Sequence, residues 1–205
     1  MGPAMTPVAR ALLIACVLAF GVQYLLGDAV TYRFALWPLG DNPGGLPFRP
    51  WQVITYAFLH GSFTHLFFNM FALYMFGPEI ERLIGIKRFT LYYFVCVIGA
   101  ALVQLWVQSI TSGPTGPTVG ASGGIFGLLL AYGMAFPRRK LMLIFPPIPM
   151  PAWLFVTLYG LLELVLGVSG AASDVAHFAH LGGMLGGLLL ILYWRYRAPR
   201  RPNFN

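Results

Sequence analysis

Ser122 stands in the octapeptide Gly120-Ala121-Ser122-Gly123-Gly124-Ile125-Phe126-Gly127, which runs straight into the apolar stretch Leu128 to Phe136. A hydroxyl flanked by glycines at a helix start suits nucleophilic chemistry. The missing side chains let other backbones approach it, and the unsatisfied amides of a helix N-terminus present partial positive charge where an oxyanion could form. The same residues also suit plain helix packing, because Gly123 and Gly127 make a small-xxx-small pair. A serine nucleophile needs an imidazole beside it. His180 offers one, with Gly183 and Gly187 at i+3 and i+7 continuing its helical face. A neighbouring helix can come very near such a face, and the glycine-rich segment around Ser122 is the natural partner. Their contact would carry His180 within hydrogen-bond reach of Ser122.

Three further polar groups interrupt apolar runs. His65 and Asn69 are four residues apart, hence stacked on one helical face, and both donate hydrogen bonds; the stripe suits either an interhelical contact or a functional site. Glu163 lies inside an apolar run, where an ionisable residue is a functional candidate by default. The sequence offers it no obvious partner, protonation or snorkelling would accommodate it, and it stays unassigned. His177 precedes His180 by three residues and shares nearly the same face. His180 is the better base, one turn deeper and continued by the close-contact glycines, whereas His177 would shape the mouth of a cavity or bond to the preceding loop. With His60, the four histidines also admit a metal-binding or metal-transporting protein. His-Glu-x-x-His is absent and no acidic residue sits beside a candidate ligand pair, which argues against a metalloprotease.

The elements that must hold these groups are membrane helices. Of the 205 residues, 58% are hydrophobic and only 9% charged, against about 25% charged in a soluble domain. Apolar spans are expected at 8–26, 62–81, 89–108, 120–136, 151–168 and 175–196. The first is too long for a signal-peptide core and reads as a retained helix. The fourth is short and glycine-rich, and a helix that starts on a polar residue can begin below the surface, in a cavity lined by its neighbours. Residues 27–51 mix Pro, Gly, Asp and aromatics (Tyr32, Phe34, Trp37, Phe48 and Trp51), as an interfacial loop does. Glu79, Glu81, Arg82, Lys87 and Arg88 read as a solvated helix end and turn. Cys16 and Cys96 sit in apolar runs as buried small hydrophobes, with no redox role. The net charge of +7 is scattered beside the spans, so lipid headgroups rather than nucleic acid are the expected partner.

Six spans with a cytoplasmic N-terminus put Arg10, Arg82, Lys87, Arg88, Arg138, Arg139, Lys140, Arg195, Arg197, Arg200 and Arg201 inside, and only Arg33 and Arg49 of the 13 basic residues outside. That is a positive-inside distribution. The second, fourth and sixth spans then all run inward, so His65, Asn69, Ser122 and His180 fall within a turn or two of the outer helix ends, at one depth.

These residues carry a resemblance to the rhomboid intramembrane serine proteases, in their minimal six-helix bacterial form. The match runs through Trp51-Gln52, His60-Gly61-Ser62, His65-Leu66-Phe67-Phe68-Asn69, Glu81 with Gly85, Gly120-Ala121-Ser122-Gly123, and Ala179-His180-Leu181-Gly182-Gly183 with Gly187. It implies an all-α polytopic membrane protein, a single domain over 1–205 with a basic cytoplasmic tail at 197–205. It implies Ser122 as nucleophile, His180 as general base without a third acidic member, and His65, Asn69 and the Ser122 amide as the oxyanion site. No metal or cofactor is implied. The substrates would be transmembrane segments of other proteins, cut near the outer face, and the location a bacterial inner membrane. A catalytically inactive scaffold that binds membrane proteins is the alternative on the same fold. Two positions depart from the family pattern. Gln52 replaces an arginine, which puts loop anchoring in question, and Phe126 replaces a tyrosine that packs on the imidazole, keeping the ring but losing its hydroxyl.

Overall fold

The computed structural model describes residues 4–39, 46–111, 116–142, 147–170 and 176–197. Parts of three sequence expectations lie outside them: positions 40–45 of the interfacial loop, positions 198–205 of the basic tail, and Arg200 and Arg201 of the charge distribution. The helices are α1 (Pro7–Leu26), α2 (Asp28–Phe34), α3 (Gln52–Thr55), α4 (Phe63–Ile84), α5 (Ile86–Ile110), α6 (Ser122–Ala135), α7 (Ala152–Ser169) and α8 (His177–Arg197). A two-stranded antiparallel hairpin, β1 (Lys140–Met142) with β2 (Pro149–Pro151), precedes α7.

Among the described residues, four helices, α1, α5, α7 and α8, are long and apolar enough to cross a bilayer. Their outward faces are studded with exposed apolar side chains, such as Leu18 and Leu25 on α1 or Leu161, Val165 and Val168 on α7. Such faces are stable only against lipid, and this is an integral membrane protein. α4 has the length, 22 residues, but carries Glu79, Glu81 and Arg82 near its C-terminal end. The α6 helix has 14 residues, about 21 Å at 1.5 Å per residue, short of the ~30 Å hydrocarbon core.

Helix α6 is apolar on every side and accordingly central, with Gly123, Gly124, Ile125, Gly127, Leu128, Leu129, Ala131, Tyr132 and Gly133 buried. Its contact with α8 is backbone on backbone, because a Cβ at Gly183 would collide with the Gly123 carbonyl oxygen. The glycine face of α8 serves a second neighbour that the sequence did not reveal. Gly182 and Gly186 abut Gly99 of α5, and Gly187 sits under Tyr92 and Cys96 of α5. Tyr92 then bonds the Gly127 carbonyl at 2.8 Å, tying α5 to α6.

The supposed solvated end of α4 needs correction. Glu81 is 2% exposed, and its carboxylate accepts from the Val8 and Ala9 amides at 3.1 and 2.8 Å and from the Thr6 hydroxyl. The first turn of α1 contains no acidic residue. Its orphan N–H groups and positive dipole end are satisfied by a carboxylate from another helix. Glu79 does stay at the surface, paired with Arg139 at 2.9 Å.

The stretch expected as an interfacial loop, 27–51, holds one short helix, α2, and leads into α3; side-chain bonds to backbone tie the two together. Gln52, 1% exposed, accepts from the Trp37 and Arg49 amides at 3.3 and 3.1 Å and donates to the Arg33 carbonyl at 3.4 Å. Trp51 Nε1 reaches that same carbonyl at 3.1 Å, and Thr55 Oγ1 donates to the Phe34 carbonyl at 2.7 Å. The amide at position 52 therefore anchors the loop. Leu36 and Thr118 exchange backbone bonds at 3.0 and 2.9 Å, which joins this layer to the segment leading into Ser122.

Candidate active site

The site is built from the N-terminal ends of α4, α6 and α8, with one side chain from α7. The chain enters α6 through Gly120, whose N–H donates to the Tyr56 carbonyl at 3.0 Å. Its φ of +126° favours glycine, and a Cβ there would lie 2.7 Å from the His65 ring. The same point is 3.7 Å from Ser122 Oγ, so His65 and Ser122 both border Gly120. Ser122 is the first residue of α6, and its own N–H is among those a helix start leaves without an intrahelical acceptor.

Ser122 Oγ lies 2.8 Å from His180 Nε2. The contact follows from the Gly123/Gly183 approach one turn further in. Phe126, one turn along α6, stacks flat on the His180 ring with centroids 4.3 Å apart and planes 7° from parallel, so the lost tyrosine hydroxyl leaves ring packing intact. Across the serine, α4 starts with Ser62 as N-cap, its Oγ accepting from the His65 amide at 3.1 Å. Asn69, buried one turn below, donates from Nδ2 to the His65 carbonyl at 2.9 Å. An amide nitrogen has two hydrogens, so that bond leaves one over. His60 is buried edge-on to His65, centroids 5.1 Å apart, and is fixed by Gln23 of α1, which bonds both its N–H and its carbonyl. Burial, and then the neighbouring His65, pushes the His60 imidazole down to about 4. It is therefore neutral at pH 7 and adds no positive charge beside His65.

The sequence missed the acidic member of this cluster. Glu163 Oε2 lies 2.8 Å from His180 Nδ1 and 2.7 Å from His177 Nδ1, and all three residues are buried. No acidic residue stands beside the histidine pair in sequence, but one does in space, and His177 is buried against it; the loop before His177, the other partner expected for it, lies outside the described residues. The available signal was an ionisable residue in an apolar run; spacing of 14 and 17 residues across an interhelical connection hid its partners. One ligand atom from each of Glu163, His177 and His180 lies within 4.8 Å of the others, the single group of this kind among the described residues that could hold a metal ion.

Residues 47–197 match the family of the rhomboid domain. The chain belongs to the rhomboid family. It is 32% identical over 184 residues to the putative rhomboid protease YdcA of Bacillus subtilis, covering 88% of this chain and 86% of that protein. It is 34% identical over 142 residues to rhomboid protein 1, mitochondrial, of Saccharomyces cerevisiae, covering 67% and 40%. The rhomboid protease GlpG of Serratia proteamaculans is 28% identical over 199 residues, covering 94% and 64%. The chain thus spans less than two thirds of the yeast and Serratia proteins. The Bacillus and Serratia relatives are named as rhomboid proteases, the first as a putative one.

Proposed function

We propose that this rhomboid is an active intramembrane protease in which Ser122 is the nucleophile and His180 the general base. The observation that carries the reading is the 2.8 Å contact between Ser122 Oγ and His180 Nε2. The Ser122 hydroxyl gives its proton to His180 Nε2 while Oγ attacks a substrate carbonyl carbon. His180 returns the proton to the leaving amine, and water then hydrolyses the acyl-enzyme. Asn69, His65 and the Ser122 amide hold the oxyanion, with His65 and Ser122 both bordering Gly120.

In this reading α1, α4, α5, α6, α7 and α8 are the six spans of a single domain over 1–205. The short α6 starts below the outer surface, 27–51 lies at the interface, and both termini are cytoplasmic at a bacterial inner membrane. Substrate helices are cut near their outer ends, where glycine or proline frees the backbone from its own hydrogen bonds. Cleavage of a reconstituted transmembrane reporter tests this. Wild-type protein is expected to cut it, and Ser122→Ala and His180→Ala are not; a Ser122→Ala variant that still cuts would contradict the reading.

The Glu163, His177, His180 group is the one observation favouring a metal-binding reading. It shares His180 with Ser122, so a metal held there would compete with base catalysis. Proteolysis by the zinc-free protein, unaffected by chelator, is the expected outcome. An inactive scaffold of the same fold would bind transmembrane partners without cutting them.

A further inference from the structure

We propose that Glu163 is a positioning residue that converts the Ser122/His180 pair into a three-membered relay reaching into α7; this rests on the reading of Ser122 and His180 above. The one interaction that names it is the bond from His180 Nδ1 to Glu163 Oε2, 2.8 Å, on the ring edge opposite the 2.8 Å contact to Ser122.

The logic starts from the tautomer. A neutral imidazole carries one N–H, and a carboxylate oxygen only accepts. With Glu163 at Nδ1, the proton resides on Nδ1 and is donated to Oε2, which leaves the Nε2 lone pair facing Ser122 as a base must. When His180 takes the serine proton, the imidazolium forms against a negative charge already in place. The proton stays on Nε2 and leaves with the amine, so the carboxylate is never protonated. Phe126 fixes the plane of the ring and Glu163 fixes its rotation within that plane.

Burial argues that this arrangement has a use. Helix α7 buries only Ala152, Val156 and Glu163, and the last is a carboxylate within an apolar helix. A desolvated carboxylate is costly unless its bonds repay it. His177 Nδ1 bonds the same Oε2 at 2.7 Å, holding the oxygen that faces His180. Among the described residues, the titratable groups around His180 are Glu163 on α7, His177 on α8, Ser122 on α6 and His65 on α4, and Glu163 is the one anion of these four.

The test is the rate at which a fluorophosphonate labels Ser122 in the purified full-length protein, followed from about pH 5 to 9 across the range where histidine titrates. Glu163→Gln keeps an acceptor oxygen but removes the charge. It is expected to lower labelling and kcat by about tenfold to a thousandfold, with KM for a transmembrane substrate little changed. The acidic limb of the profile should move to lower pH, because losing the facing carboxylate disfavours the imidazolium. Glu163→Asp, which keeps the charge on a shorter arm, should lose rate without that movement. A Glu163→Gln protein with wild-type rate and profile would overturn the proposal. Should Glu163→Gln not fold, a Glu163→Asp profile displaced to lower pH would overturn it equally. If His180→Ala itself labelled normally, the Ser122/His180 reading would fail instead, which keeps the two failures apart.

Discussion

Asn69 and His177 show how much a residue's role depends on what its second hydrogen or second nitrogen does. Asn69 spends one amide hydrogen on the His65 carbonyl, which leaves it a second to donate. Asn69→Ala should therefore lower kcat by about tenfold to a thousandfold with a smaller change in KM, since an oxyanion donor acts in the transition state. An unchanged kcat would reduce it to a packing contact. His177 supports Glu163 rather than the serine, so His177→Ala should slow Ser122 labelling by less than about tenfold, where His180→Ala abolishes it. Reversed effects would exchange the two histidines. The Ser122 and His180 pair was legible because glycines mark both helix faces, at 123 and 127 and at 183 and 187. Glu163 was not, because nothing local in a sequence says where a carboxylate on one helix meets imidazoles on the next.

At the level of elements, the 2.8 Å serine contact depends on how closely two backbones approach. A methyl group at position 183 has the Gly123 carbonyl in its way, so Gly183→Ala must push α8 from α6. Overpacking of this kind typically costs about 1–3 kcal/mol, and here it should also abolish labelling by separating His180 from Ser122. Thermal unfolding in micelles and labelling rate check the two effects separately; a stable, active Gly183→Ala would contradict the contact. Glu81 makes a different prediction. Glu81→Ala leaves the Val8 and Ala9 amides at the start of α1 without their acceptor, a loss of about 1–3 kcal/mol per stranded group, with kcat unaffected in whatever fraction is folded. The helices themselves were legible from hydropathy, and the structure moves their ends by only a few residues, 63–84 replacing 62–81 for α4 and 86–110 replacing 89–108 for α5. Tertiary bonds such as those of Glu81 and Gln52 were not legible, because Glu81 reaches a helix far away in the chain and Gln52 bonds backbone groups of a loop whose path no local pattern fixes.

For the whole molecule, the active groups gather at one end of the bundle because α4, α6 and α8 all begin there. If eleven of the 13 basic residues mark the cytoplasmic side, that end faces outward and reporter fusions after Arg195 should be cytoplasmic; a tail found outside would reverse the compartment in which cleavage occurs. The class of the molecule was plain from its composition, and the family from motifs that recur in order on successive helices. The account stands most directly on one chemical event, activation of Ser122 by His180. Purified protein incubated with a fluorophosphonate, digested and mapped by mass spectrometry, should carry the adduct on Ser122, and the His180→Ala protein of equal thermal stability should carry none. An adduct on another residue, or undiminished labelling of Ser122 without His180, would contradict it.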